Sequence, residues 1–118
     1  MSTLKHYKIA ELKEEWLTPK LSRRIISGSK ETLGYFVLLK GSTVASHKHV
    51  NEQISVPLKG ALKFTIDGKE LTVKEGEVLI IPPNVEHAAL AIEDSIVLDC
   101  FSPTREDWLA GKDDYLRK

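Results

Sequence analysis

The sequence predicts an all-β fold, a barrel or sandwich of antiparallel strands with a short helix at each end. From residue 33 onward, apolar runs of strand length are separated by glycine, asparagine, aspartate and proline. These turn residues recur about every 8–12 positions, which is typical of small sandwiches and barrels. No internal repeat, linker or low-complexity stretch divides the 118 residues, so we expect one domain over residues 1–118.

Eight segments are predicted as strands because they are short, apolar and rich in β-branched or aromatic residues. In order they cover residues 21–26, 34–39, 54–58, 61–66, 71–73, 78–81, 85–92 and 96–101. Asp67 and Gly68 favour a type I′ hairpin turn, in which both central residues need positive φ. The continuous apolar run 78–81 indicates a strand covered on both faces. Pro57 lacks a backbone donor, so its strand should lie at a sheet edge or contain a bulge.

The two ends of the chain predict helices. Ile9, Leu12 and Trp16 recur at helical spacing, which indicates a short N-terminal helix. A second helix is expected to begin near Pro103, because proline suits the first turn, and to end at Gly111.

The C-terminal helix needs a cap and a face that packs. Ser102 or Thr104 is expected to be its N-cap, and Trp108 and Leu109 should dock it onto the barrel. The remaining residues, 112–118, are mostly charged and are expected to fray.

Charge and cysteine content exclude several classes of partner. The chain has 17 basic and 17 acidic side chains, whereas nucleic acids and anionic membranes are recognised mainly through excess Lys and Arg. One cysteine cannot form an intramolecular disulfide. No segment reaches the roughly 20 apolar residues of a spanning helix, and the N-terminus lacks the apolar core of a signal peptide. We therefore expect a cytoplasmic protein with no nucleic acid or membrane partner.

Three of the four histidines predict a metal site. In an extended segment residues two apart point the same way, so His47 and His49 can direct both rings at one point inside the barrel. His87, beyond the proline turn, and the amide oxygen of Gln53 can complete the set. Such ligands suit one divalent transition metal, Mn, Fe, Co, Ni or Zn, better than calcium, and leave two open positions on a six-coordinate ion. The alternative is a pair of loop histidines without a metal, and His6 is interpreted as solvated.

The spacing around the first two histidines matches the first signature of the cupin superfamily, G-x5-H-x-H-x3-[E/Q]-x6-G. The matching residues are Gly41, His47, His49, Gln53 and Gly60. Glutamine stands where most members of the superfamily carry glutamate. A neutral amide leaves more of the positive charge on the ion, and it should make the ion a stronger Lewis acid.

A second signature, G-x5-P-x-G-x2-H, matches the region of the third histidine. Gly76, Pro82 and His87 stand at its fixed positions, and Asn84 replaces the middle glycine. Asparagine tolerates the left-handed conformation that glycine supplies there. The resemblance covers residues 33–101 and implies a cupin fold, a double-stranded β-helix or jelly-roll-like barrel, with all three histidines and the glutamine as metal ligands. It also implies a homodimer, which the small size of the chain favours.

The last predicted strand carries a carboxylate. Asp99 and Phe101 share one face of the strand, and Leu98 and Cys100 share the other, where the cysteine is interpreted as buried packing. Burial of Asp99 in the cavity would raise its pKa toward acid–base usefulness. Arg105 could close the mouth of the barrel and hold a substrate carboxylate in its planar fork.

Structural roles for the same residues stay open at this point. Asp99 could be the buried partner of Arg23, Arg24 or Arg105. Phe101 could be ordinary core, and Arg105 could be a solvated helix start.

The Asp-x-Phe-x3-Arg ending is similar to that of the KdgF-type cupins of pectin and alginate breakdown. This resemblance implies that Asp99, Phe101 and Arg105 form an active site together with the metal. The implied reaction converts unsaturated uronates, released by polysaccharide lyases, into linear keto sugar acids, so the expected partner is a small sugar acid. Two other functions remain open, a metal-dependent dioxygenase of a diketone or phenolic substrate and a small-ligand-binding cupin without catalysis.

Overall fold

The computed structural model describes residues 3–118, which form ten strands, a short α-helix and two 3₁₀ turns. The strands are β1 (Glu15–Thr18), β2 (Leu21–Ser27), β3 (Thr32–Leu38), β4 (Thr43–His47), β5 (Glu52–Lys59), β6 (Ala61–Ile66), β7 (Lys69–Lys74), β8 (Leu79–Ile81), β9 (His87–Ala91) and β10 (Ser95–Ser102). The helix α1 covers Glu106–Leu109, and the 3₁₀ turns cover Ile9–Glu11 and Asp114–Arg117. No helix within residues 3–118 has the length and apolarity needed to cross a membrane.

The strands form two sheets whose pairs are antiparallel. The larger sheet has the order β1-β2-β3-β10-β5-β8, and the smaller has the order β4-β9-β6-β7. The chain crosses from one sheet to the other after β3, β4, β5, β7, β8 and β9, which produces a jelly-roll arrangement. The all-β fold predicted from the sequence is confirmed, and all eight predicted strands are present.

The core lies between the two sheets and follows the alternation of the strands. Phe36 and Leu38 on β3 are buried, and the residue between them is only half-buried. Leu62 and Phe64 of β6 belong to the same core cluster from the smaller sheet. Each such side chain contributes about 1.5–3 kcal/mol when it leaves water. The packed core therefore holds both sheets in fixed positions around the candidate site.

The turn residues behave as their chemistry predicts. Asp67 and Gly68 both have positive φ, 50° and 81°, in the hairpin between β6 and β7. Asn84 has φ 62°, which is the left-handed conformation expected at that position of the second signature. The register of β10 against β5 shifts next to Pro57, so the bulge expected there is confirmed.

The N-terminal helix is shorter than its periodicity indicated. Only Ile9–Glu11 forms a 3₁₀ turn, and Trp16 lies on β1, where it pairs with Ser22 of β2. The backbone of β1 forms its hydrogen bonds with β2 instead of within a helix. The strand β4 was not predicted either, because its sequence has few apolar residues, and all of its residues are exposed or half-buried.

The strand β8 is not covered on both faces, as its apolar run suggested. It has one described partner, β5, and lies at the edge of the larger sheet. Val78 and Ile80 are 60% and 57% exposed, whereas Ile81 is fully buried. Apolar content alone does not distinguish a central strand from an edge strand.

The C-terminal helix is shorter than expected and has different contacts. Arg105 occupies the N-cap position, and neither Ser102 nor Thr104 caps the helix with its side chain. Leu109 is 59% exposed, so the packing contact comes from Trp108. Gly111 ends the helix as predicted, with φ 75°. Its amide donates to the carbonyl of residue 108 and the next amide donates to residue 107, as in a Schellman motif.

The charged tail does not fray but packs against the barrel. Leu116 and the carboxylate of Asp113 are buried. Asp113 pairs with the buried Arg23 of β2 and with Arg117 four residues later. A fraying tail was expected from the high charge of this segment, but the charge of Asp113 is compensated by Arg23 and Arg117.

Candidate metal centre and cavity

Three histidines converge at one end of the barrel. β4 ends at His47 and β9 begins at His87, and these two residues are register partners in the smaller sheet. His49 follows in the loop after β4. The ring centroids of His47 and His87 are 4.3 Å apart, and those of His49 and His87 are 4.9 Å apart. One nitrogen of each ring lies within 4.8 Å of the others, so the three can hold one metal ion.

Backbone carbonyls orient all three rings. The Nδ1 atoms of His47, His49 and His87 lie 2.8, 3.0 and 2.8 Å from the carbonyl oxygens of residues 45, 51 and 85. A carbonyl only accepts, so each Nδ1 carries the proton and each Nε2 keeps a lone pair. The Nε2 of His87 is buried without a hydrogen-bond partner among the described residues. A metal ion would satisfy it, and this arrangement of outer hydrogen bonds is typical of metal-binding histidines.

The amide of Gln53 adds an oxygen to the histidine cluster. Its Nε2 donates to Ser55 Oγ at 2.9 Å, which directs Oε1 toward His49 Nε2 at 3.0 Å. Both atoms are acceptors when the Nδ1 of His49 carries the proton. A cation between them turns two facing lone pairs into two ligands. The donor set therefore fits a divalent transition metal.

Burial keeps the three histidines neutral. It lowers the pKa of His47 and of His49 to about 4, and it also lowers the pKa of His87. The positive charge of Arg105 lowers all three further. Because only a neutral imidazole has a free lone pair, the cluster is ready to bind a metal at neutral pH.

A loop contact connects the two glycine–histidine signatures. The backbone amide of Asn84 donates to the carbonyl of His49 at 2.8 Å. The side chain of Asn51 donates to the carbonyl of Thr104 at 3.2 Å, which ties the histidine loop to the segment after β10. Asn51 was not singled out in the sequence, where a single loop asparagine carries no signal.

A cavity of about 50 Å³ lies beside the cluster, between the two sheets. Its walls are mostly apolar, with Phe36, Leu62 and Phe64 among them. The polar or ionisable side chains that line it are His47, Gln53, Asp99, Arg105 and Tyr115. Four of these belong to the predicted site, and Tyr115 does not.

Asp99 presents a carboxylate to this cavity from the middle of β10. Its neighbours across the strands are Gly34 of β3 and Ser55 of β5. Its Oδ1 is buried without a hydrogen-bond partner among the described residues. Burial raises the pKa of Asp99 to about 6, although Ser55, Gln53 and Arg105 act in the opposite direction. The group can therefore exchange a proton near neutral pH.

None of the arginines considered as partners for Asp99 pairs with it. Arg23 bonds to Asp113 and Glu15, and Arg24 bonds to Glu14. The carboxylate of Asp99 is thus free of an ion pair within the described chain. On the opposite face of β10, Cys100 is exposed and not buried as expected.

Arg105 is one of the most buried side chains, with 1% of its surface exposed, so it is not a solvated helix start. Its guanidinium lies 4.7 Å from the ring centre of Phe101 and 4.0 Å from that of Trp108. Its Nε and Nη2 donate to Asp107 at 2.9 and 2.7 Å. Asp107 therefore occupies the fork that was expected to hold a substrate carboxylate. Nη1 makes no hydrogen bond to the described residues.

Aromatic rings connect the arginine to the histidines. Phe101 is buried, as a core residue would be, but it also lines the cavity and meets His49 edge to face at 5.6 Å. Tyr115 stacks on His47 with centroids 4.2 Å apart, and its hydroxyl accepts a bond from Arg105 Nη2 at 2.6 Å. Tyr115 was not predicted from the sequence as a site residue. In the sequence, the adjacent tyrosine and leucine in an otherwise charged tail were the signal that this segment packs against the barrel.

Comparisons with known proteins agree with this geometry. A family model described as "Cupin domain" matches residues 34–100. The pectin degradation protein KdgF of Dickeya dadantii (strain 3937) is 31% identical over 98 residues, 80% of this chain and 89% of that protein.

Solved structures give the same result. The structure of KdgF from Halomonas sp. superposes with a TM-score of 0.83 at 26% identity, over 90% of this chain and 99% of that chain. An RmlC-like cupin from Shewanella frigidimarina gives 0.81 at 25% identity, over 92% of this chain and 99% of that chain. Sequence signatures, fold and relatives thus lead to one conclusion, that this chain belongs to the cupin family.

Proposed function

We propose that the protein is a metal-dependent cupin enzyme that converts unsaturated uronates into linear keto sugar acids. The observation that carries the proposal is the Asp99 carboxyl, whose Oδ1 has no hydrogen-bond partner among the described residues and which lines a cavity together with His47 and Arg105. The relatives named for KdgF and for pectin degradation support uronates as the substrate class.

The reaction is an isomerisation, so it needs no oxidant or reductant. The ring C–O bond at the hemiacetal carbon breaks as the hemiacetal hydroxyl loses its proton and the ring oxygen takes one up, which leaves an aldehyde and an enol. The enol then becomes a ketone when its hydroxyl proton is lost and a proton is added at the neighbouring carbon. Both steps require a group that takes up and returns protons.

Asp99 is the group that moves these protons. Its raised pKa, about 6, lets it act as a base when ionised and as an acid when protonated, within the same pH range. Its Oδ1 is buried without a hydrogen-bond partner among the described residues, and a substrate hydroxyl in the cavity would satisfy it.

Arg105 attracts and orients the anionic substrate. The protein has a formal net charge of +0, so the chain as a whole does not attract an anion. Attraction of the substrate must therefore come from individual charged groups at the site. The Nη1 of Arg105 is available for a carboxylate, whereas Asp107 and Tyr115 hold the rest of the guanidinium in place. Phe101 and Trp108 pack against the guanidinium and exclude water from it, which strengthens its interaction with an anion.

His47, His49, His87 and Gln53 are the residues that would hold the metal. A divalent ion there supplies Lewis-acid polarisation of a substrate oxygen. The chain contributes the neutral state of the three rings and their fixed orientation.

The experiment is incubation of metal-loaded protein with unsaturated uronates released by pectate or alginate lyase. Loss of the alkene absorbance should be faster than the spontaneous reaction. Asp99→Asn should remove this acceleration at unchanged metal content, measured by atomic emission. The exposed Asp114→Asn is the matched control and should keep full activity. No acceleration by the unmodified protein would contradict the proposal and favour the dioxygenase or the non-catalytic alternative.

A further inference from the structure

The hydroxyl of Tyr115 has an unused hydrogen. Its oxygen accepts hydrogen bonds from Arg105 Nη2 at 2.6 Å and from Trp108 Nε1 at 3.0 Å. Both of those groups can only donate, so the tyrosine oxygen is the acceptor in each bond. The hydroxyl hydrogen has no acceptor among the described residues. It is therefore available to an oxygen atom that enters from outside.

The position of Tyr115 directs this donor toward the cavity. The side chain lines the cavity together with Asp99 and Arg105, and its ring stacks on His47. The bond from a positively charged guanidinium draws electron density from the phenol, which makes its O–H a stronger donor. A neutral donor at this point complements the cation of Arg105 and the carboxyl of Asp99.

Tyr115 lies on a segment outside the barrel strands. We call residues 111–118 the C-terminal cap. The cap is held by Leu116, which is buried, and by Asp113, which pairs with Arg23 and Arg117. Trp108, on α1, packs edge to face against Phe101 and donates a hydrogen bond to Tyr115. These contacts attach the cap at a few side chains, whereas each strand of the barrel is attached along its backbone.

The cavity is too small for a sugar acid while the cap is in place. Its volume of about 50 Å³ corresponds to about four water molecules, at roughly 10–15 Å³ each on this measure. A six-carbon sugar acid is larger than that. Tyr115 and Leu116 belong to both the cap and the cavity wall, so a shift of the cap enlarges the cavity.

We infer that Tyr115 is a substrate-binding residue that donates a hydrogen bond to an oxygen of the sugar acid, on a cap that opens for entry and closes over the bound molecule. This inference rests on the proposed function, since a uronate is the occupant that it assumes. It adds a binding residue from the C-terminal cap to the site formed by the barrel.

The first test measures affinity without turnover. Galacturonate, a saturated uronate, is titrated into metal-loaded protein in a calorimeter. Tyr115→Phe keeps the ring that stacks on His47 but loses the hydroxyl, and it should weaken binding about tenfold, the effect of one hydrogen bond. Tyr7→Phe removes an exposed hydroxyl and should bind as the unmodified protein does. Equal affinities in all three proteins, or no binding by the unmodified protein, overturn the inference.

A second measurement separates direct contact from an effect through the arginine. Tyr115→Phe is combined with Arg105→Lys, and the affinity for galacturonate is compared with that of Arg105→Lys alone. A direct contact predicts a similar weakening in both backgrounds. If the tyrosine only positions Arg105, the weakening disappears in the lysine background and the inference is wrong.

Movement of the cap can be followed by fluorescence. Trp16 and Trp108 are the two tryptophans, so Trp16→Phe leaves Trp108 as the reporter beside Tyr115. Saturating galacturonate should change its emission, and unchanged emission contradicts cap movement.

The tests distinguish a failure of this inference from a failure of the proposed function. Turnover with unchanged affinity in Tyr115→Phe overturns only this inference, whereas uronate binding without turnover overturns only the proposed function.

Discussion

Asp99→Asn should stabilise the metal-free protein while it removes the proposed activity. Burial raises the pKa of this carboxyl from 3.8 to about 6, which means that the folded state disfavours its ionised form. A tenfold difference in proton affinity corresponds to about 1.4 kcal/mol, so the ionised group costs the folded protein about 3 kcal/mol at neutral pH. Asparagine has nearly the same shape and carries no charge.

The sign of the pH dependence follows from the same values. The folded-state pKa of Asp99 lies above the unfolded-state pKa, so the folded protein binds this proton more tightly. The free energy of unfolding therefore falls as the pH rises from about 4 to about 6. The advantage of Asp99→Asn should be greatest at pH 7 and should nearly vanish at pH 4.

The assay is urea unfolding of chelator-treated protein at pH 7 and at pH 4. Asp99→Asn is expected to raise the free energy of unfolding by up to about 3 kcal/mol at pH 7. Asp114→Asn, on the exposed tail, should change it by less than about 0.5 kcal/mol. A variant that is less stable than the unmodified protein at pH 7, or equally stabilised at both pH values, would refute the reasoning.

Two further predictions concern the metal ligands and the cap. His87→Ala removes a buried candidate ligand nitrogen and should reduce the bound metal, measured by atomic emission, well below one equivalent. His6→Ala is the control and should keep the metal content of the unmodified protein. Equal metal content in the two variants would exclude His87 as a ligand. Asp113→Asn breaks the buried pair with Arg23 and should lower the free energy of unfolding by about 3 kcal/mol in urea titrations. Burial opposes ionisation of Asp113, but bonds from Arg117 and Arg23 hold its pKa below the usual range. Its stabilisation should thus be present at neutral pH and lost as the pH falls below about 4, and a pH-independent effect of the variant would contradict this.

Strands were predicted well where alternation and turn chemistry agree. The strand β6 has the predicted boundaries, and the Asp67-Gly68 turn after it has the expected positive φ at both residues. Both features depend on neighbouring residues only. Alternation of apolar and polar side chains indicates which face of a strand is buried, and the two residues of a tight turn determine its backbone conformation.

Strand coverage and the role of the tail were not predictable in this way. The exposed Ile80 and the buried Ile81 have the same side chain, and they differ because consecutive residues of a strand point to opposite faces and only one face of β8 is covered. Asp113 would be solvated in an isolated tail, but Arg23 lies opposite it, on a strand far away in the sequence. Local sequence holds no information about a partner at such a distance.

The same distinction between local and long-range information applies to the candidate site. The sequence by itself determined the four metal-ligating candidates, because the spacing of His47, His49 and Gln53 and the proline turn before His87 depend on short segments. Only the tertiary structure decided that Asp99 is free of an ion pair and that Arg105 is held by Asp107. It also placed Tyr115 on His47. The reason is physical, since short-range spacing sets the direction of a side chain, whereas its partners depend on which distant segments the packed barrel brings to the same cavity.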